Sequence, residues 1–243
     1  MLQLDPAFTI GSRFNGPPNS GNGGYVSGRL AKFVEGTAQV TLRMPPPLDL
    51  GMKVMTGEAS SVQLLHQGNL VAEAKNATLD LAVPAPPSLQ EATIASKSYA
   101  GFDSHLYPSC FVCGPDRPNH DGMGIFAGPL PGRETSTVAA PWRPQAEFGN
   151  DDGLVSTEYI WGALDCPGAY SLPIGHENAS VILLGRLTAE LIKPVYAGES
   201  YRVMGWFIER DGRKLYTGTA IFNEAGEVCG KAKGIWIELK PKG

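Results

Sequence analysis

The chain has 243 residues, 42% of them hydrophobic and 18% charged, a balance that suits a folded globular protein and excludes a disordered one. Its net charge of −4, from 20 basic and 24 acidic side chains without a lysine or arginine run, argues against a nucleic-acid partner. No apolar run reaches the roughly 18 residues of a membrane span, MLQLDPAFTI lacks a signal peptide's basic start, and four cysteines do not make a disulfide framework in a chain this long. A cytoplasmic protein with reduced thiols is expected.

Taken in chain order, a glycine-rich stretch, Asn15 to Gly24 (NGPPNSGNGG), opens onto a helix over Gly24 to Val34. Two prolines and three asparagines in those ten residues suggest a shaped loop that could hold substrate. Strands are expected over Val40–Met44, Lys53–Glu58, Val62–His66 and Leu70–Leu81. The proline-rich segment Ala82 to Gln90 reads as a linker. Further on, Val155, Tyr159, Ala163 and Cys166 recur at helical spacing within Gly153 to Ala169, where Pro167 and Gly168 should end or kink the helix. Four strand-like runs follow: Ser180–Ile192, Ser200–Glu209, Lys214–Phe222 and Val228–Leu239. Arg210-Asp211-Gly212-Arg213 supplies a hairpin turn between the second and third.

The two halves resemble one another. QGNLVAEAKNATLDL (67–81) and AGEVCGKAKGIWIEL (225–239) align with Gly68 on Gly226, Ala74 on Ala232, Lys75 on Lys233 and Leu81 on Leu239. A Pro–Gly pair four apart recurs upstream, Pro47/Gly51 and Pro194/Gly198. A repeat of this size suggests two fused, diverged copies of a small domain. One copy is expected over residues 1–88 and the other over 89–243, each an α+β unit with a helix against an antiparallel sheet. Their interface would be a pseudo-dimer interface, and a site there could draw on both halves. The chain could act as a monomeric pseudo-dimer or form a homodimer.

A helix followed by a strand meander, with Pro and Gly at the turn after the first long strand, resembles the hotdog fold of acyl-CoA thioesterases and dehydratases. CFVCGPDRPNHDGMGIF (110–126) is similar to the lead-in of many such domains, of the form C-x-x-C-G, a proline, then Gly and apolar residues. The resemblance implies a double hotdog. It also implies an oxyanion-binding glycine at a helix start and a catalytic Asp or Glu eight residues beyond it, commonly supplied from the opposing subunit. Here these parts are split. The first helix has Asn22-Gly23-Gly24, but Ala31 stands eight residues past Gly23; the second has Asp165, but Thr157 stands eight residues before it.

One composite site would combine them. Helix-end N–H groups without internal partners form an oxyanion site, so Gly23 would face the thioester oxygen and Asn22 would replace the family's His. Asp165 would act as nucleophile or as base for water. Asn15, Asn19, Gly24, Thr157 and Trp161 would bind or frame the substrate, with Trp161 desolvating the acid. The second pseudo-site, Thr157 with Ala31, should be dead. Glu158 is the substitute acid. Ser180 and Thr188 flank the place of the family's supporting hydroxyl, which Leu184 occupies. His176 could touch substrate, whereas His66, His105 and His120 and the tryptophans read as surface or packing residues.

Cys110-x-x-Cys113 has no second close Cys or His pair, so the sequence predicts a structural turn, no metal and no cofactor. The function implied is hydrolysis of an acyl-CoA or acyl-carrier thioester. The alternative is an acyl-CoA or lipid binder without catalysis. A hydratase would need an Asp/His pair near one helix, and neither helix has it.

Overall fold

The computed structural model describes residues 3–118, 121–133, 135–173 and 181–239. Eleven strands form one antiparallel sheet: β1 (Gln3–Phe8), β2 (Ala38–Leu42), β3 (Met52–Thr56), β4 (Val62–His66), β5 (Asn69–Asn76), β6 (Gly128–Pro129), β7 (Thr137–Trp142), β8 (Ile182–Leu191), β9 (Tyr201–Asp211), β10 (Lys214–Phe222) and β11 (Val228–Glu238). Among the described residues four α-helices accompany it: α1 (Gly23–Ala31), α2 (Leu89–Ser96), α3 (Thr157–Ala163) and α4 (Cys166–Tyr170). Among the described residues no helix is long and apolar enough to cross a membrane.

The strand order is β1-β3-β4-β5-β2-β8-β11-β10-β9-β7-β6. It reads alike outward from the central β2–β8 pair, where Ala38 faces Ala189 and Val40 faces Leu187. The turns that aligned in sequence are equivalent in this order. Gly68 joins β4 to β5 at φ +82° and Gly226 joins β10 to β11 at φ +81°, a conformation that glycine adopts without steric cost. Gln67 is also left-handed, at φ +48°, so Gln67-Gly68 makes the two-residue turn whose twist suits a hairpin. Ala74 lies between Val40 and Val62, and Ala232 between Ala189 and Thr219, at matching places in the two ladders.

The main core lies between the helices and the sheet: α1 packs on β2, β5 and β8, α4 packs on β7, β9 and β10, and α3 packs against α1, with Val26, Leu30, Val40, Leu64, Trp161 and Leu187 among the fully buried members. The helices touch closely because α1 carries glycines one turn apart on its contact face. A Cβ at position 24 would lie 2.4 Å from Asp165 Cβ, and one at position 28 would lie 2.6 Å from Glu158 Cα. On β7, Val138 and Ala140 join this core while Ala139 faces α2 with Ala92, Ala95 and Leu130, as the alternation of strand side chains requires.

Several expectations are corrected. The helix over Gly153 to Ala169 is two helices. Gly153 is left-handed at φ +77°, α3 starts only at Thr157, and the chain breaks at Leu164–Asp165 before α4. Pro167 does not end a helix but sits in the first turn of α4, where its missing N–H costs nothing. The first helix ends at Ala31 and the strand over Leu70–Leu81 ends at Asn76. The linker yields at Leu89 to α2, which a capping box of Ser88 and Glu91 starts. β1, β6 and β7 were not foreseen. His120, His176 and Ser180 lie outside the described residues.

Candidate active site

The Asn15–Gly24 stretch is a built loop. Gly16 N–H donates to Ser20 O at 2.9 Å, Gly21 N–H to Pro46 O at 2.9 Å, and Asn22 N–H to Phe14 O at 2.8 Å. Asn19 takes a left-handed φ of +61°, which asparagine tolerates. Residues 16 to 23 all line a cavity of about 750 Å³. Its other walls are residues 42–46, the 104–107 segment, residues 181–185 of β8 and its approach, and Trp236 and Ile237 of β11. Most of this lining is apolar, which suits a cavity that takes an apolar ligand.

At the inner end stand the start of α1 and the α3–α4 break. Asn22 caps α1, its Oδ1 accepting from Tyr25 N–H at 2.9 Å. Gly24 N–H donates to Asp165 Oδ2 at 2.8 Å. Asp165 is only 3% exposed, and its Oδ1 has no hydrogen-bond partner among the described residues. Burial pushes its carboxyl up to about 7, against the opposing pull of the Gly24 N–H. Gly23, the first helical residue, is half-buried and lines the cavity; its N–H meets no acceptor among the described residues. Gly23, Asn22, Asn19 and Asp165 therefore line one cavity, although they are up to 146 positions apart in the chain.

Other expected residues lie elsewhere. Asn15 does not reach the cavity. Its amide donates to Ser109 Oγ at 3.1 Å and its Oδ1 accepts from Arg117 Nη1 at 2.9 Å, so it stitches the loop to the Cys110 segment. Thr157 and Trp161 pack against α1 at Gly28 and are not in the lining, and Gly24 is spent on the carboxylate of Asp165. Trp161 does share the α1–α3 contact that keeps Asp165 dry. The substitute acid, Glu158, is buried in an ion pair with Lys32 away from the cavity. Ala31 is in the core beneath α1.

A second group extends the Cys110-x-x-Cys113 turn in a way the spacing did not suggest. Cys110, Cys113 and Cys166 are buried with their sulfurs within 4.8 Å of one another. Cys110 Sγ stands 3.9 Å from Cys166 Sγ, and Asn22 Nδ2 donates to both at 3.7 Å. His105 Nε2 is 3.4 Å from Cys113 Sγ. The close approach of Cys113 and Cys166 pulls the Cys110 thiol down, and that same approach, with burial, pushes the other two up. Only the Cys110–Cys113 pair is visible in the sequence. Cys166 comes from beyond the α3–α4 break, and His105 lies in an irregular segment without periodicity.

No family model matches the chain, and no curated protein matches it. Solved structures do. The tesB protein of Mycobacterium avium subspecies paratuberculosis shares 12% identity, with 93% of this chain and 90% of that one covered at a TM-score of 0.59. A conserved Alicyclobacillus acidocaldarius protein of unknown function with a hot dog fold shares 7% identity, with 99% and 92% covered at 0.57. A Lactobacillus plantarum protein, provisionally described as an oleoyl thioesterase, shares 10% identity, with 84% and 75% covered at 0.50. The chain thus has the hotdog fold across both halves.

Proposed function

We propose that the chain hydrolyses an acyl-CoA or acyl-carrier thioester at one composite site, made by the start of α1 and by Asp165. One observation carries this reading. A buried carboxylate is held at 2.8 Å by Gly24 N–H, and the adjacent Gly23, at the start of α1, lines the same apolar cavity. In the proposed reaction Asp165 takes a proton from water while the oxygen adds to the thioester carbonyl. Gly23 N–H, at the positive end of α1, stabilises the resulting oxyanion. Collapse breaks the C–S bond, and the proton held by Asp165 passes to the leaving thiolate. The acid and the N–H donor come from the two sides of the central β2–β8 pair.

The chain is read as two hotdog repeats, 1–88 and 89–243, each with a helix on its half of the sheet. The strand order about β2–β8 supports this division. The provisional oleoyl thioesterase description of one structural relative supports the substrate class. The low cysteine count, four in 243 residues, fits a reducing, cytoplasmic setting.

A second reading, an acyl-CoA binder without hydrolysis, draws on the other pseudo-site, where Ala31 and Thr157 offer no acid. The test is CoA release from acyl-CoAs of graded chain length by the wild type and by Asp165→Asn. The amide can still accept from Gly24 but cannot act as base, so a loss of about 10²–10⁴-fold is expected. Unchanged turnover in the variant would sink the role of Asp165. Ligand-induced stabilisation without any CoA release would favour the binder.

A further inference from the structure

The three buried cysteines beside the cavity have a geometry that the hydrolytic reading does not use. Tetrahedral coordination with Zn–S bonds of about 2.3 Å places two thiolate sulfurs about 3.8 Å apart. Cys110 Sγ and Cys166 Sγ are 3.9 Å apart, and Cys113 Sγ completes a group spanning no more than 4.8 Å. The groups facing these sulfurs are mostly donors. Asn22 Nδ2 serves both Cys110 and Cys166. His105 Nδ1 accepts from Tyr107 N–H at 2.9 Å, so its proton sits on Nε2, which faces Cys113 Sγ at 3.4 Å and Cys113 O at 3.2 Å. Thiols would need acceptors of their own; converging donors suit thiolates. Buried thiolates beside the Asp165 carboxyl are costly without a cation between them.

The turn is shaped for this. Gly114 N–H donates to Cys110 O at 2.8 Å, and a Cβ at Gly114 would lie 2.4 Å from Pro108 O, so only glycine lets the Cys-x-x-Cys turn close. All three cysteines and His105 also line the cavity, which gives an ion there room for a ligand from solvent.

We propose that Cys110, Cys113 and Cys166 bind one thiophilic divalent cation, with Zn²⁺ as its natural occupant, leaving the fourth coordination position toward the cavity. Three protein ligands with one open position make a site that can also hold water or a ligand atom. His105 and Asn22 orient and support the thiolates without coordinating the ion. The proposal does not depend on the thioesterase reading, and its test measures metal rather than turnover.

The full chain is stripped of metal under reducing conditions and titrated with Co²⁺, followed by Zn²⁺. The expected result is thiolate-to-cobalt charge-transfer absorption with intense tetrahedral d–d bands, saturating at one ion per chain and displaced by Zn²⁺. Cys110→Ala, Cys113→Ala and Cys166→Ala should each abolish these bands, and Cys229→Ala should keep them. His105→Ala should weaken binding about 10–100-fold without abolishing it. Melting curves of the metal-free variants separate a lost ligand from a lost fold: Zn²⁺ should raise the melting temperature of the wild type and not that of the three variants. Absence of cobalt bands in the reduced wild type would overturn the site. Loss of all binding in His105→Ala would overturn the three-thiolate assignment.

Discussion

Gly24→Ala links the packing of the two helices to the proposed chemistry. The new methyl would lie 2.4 Å from Asp165 Cβ and 2.6 Å from Trp161 O, against ordinary carbon contacts of about 3.5–4 Å. Neither neighbour is a flexible side-chain end, so the α3–α4 break must withdraw by about 1 Å. Overpacking of this kind costs about 1–3 kcal/mol. Replacing a helical glycine by alanine returns up to about 1 kcal/mol. A net loss of about 1–2 kcal/mol lowers the melting temperature of a chain this size by about 2–8 °C. A shift of about 1 Å in a reacting group can cost about 10²-fold in rate. Thermal unfolding together with saturation kinetics of CoA release checks both expectations, with the loss expected in kcat. Wild-type melting and turnover would refute the close helix contact. A lowered melting temperature with wild-type turnover would show that the position of Asp165 does not govern the reaction.

Gly23→Pro tests the oxyanion donor with little disturbance of the helix. Proline is favoured at the first helical position, and Asn22, at φ −59° and ψ 131°, already has the extended backbone that a following proline demands. A Cβ at position 23 would meet Leu184 Cδ2 at 3.0 Å and Leu42 Cδ1 at 3.2 Å, side-chain ends that must yield slightly. CoA release should fall about 10²–10³-fold, with melting little changed; unchanged release would exclude Gly23 N–H as the donor. Ser88→Ala removes half of the capping box of α2 and should cost about 1 kcal/mol in denaturant unfolding, leaving CoA release untouched. No change in the unfolding midpoint would show that α2 adds nothing to stability.

The parts legible in the sequence were those set by local patterns. Strands β3, β4 and β8 to β11 followed from β-branched runs and turn glycines, because alternation and positive-φ turns act over a few neighbours. Gly68 and Gly226 exposed the repeat for the same reason. The short β6 and the proline-bearing β1 and β7 carry weak signals and passed unseen. Helix α1 was visible behind its glycine-rich entry, though the cap by Asn22 was not. The extent of the second helix was not, because the break at Leu164–Asp165 depends on contact with α1 and not on Pro167 alone.

The sequence by itself determined which halves kept which parts: Asn22-Gly23-Gly24 in one and Asp165 in the other. It also carried the residue types of the cavity loop. Tertiary structure decided what they meet. Packing of α1 on α3 through Gly24 and Gly28 brings Asp165 onto Gly24 N–H and sends Thr157, Trp161 and Glu158 away from the cavity. The same packing carries Cys166 to the Cys110–Cys113 turn, 53 positions from the nearer cysteine, a separation at which spacing says nothing about proximity. Local rules act through the backbone over a few residues, whereas this cluster arises only where separate elements bury their faces together.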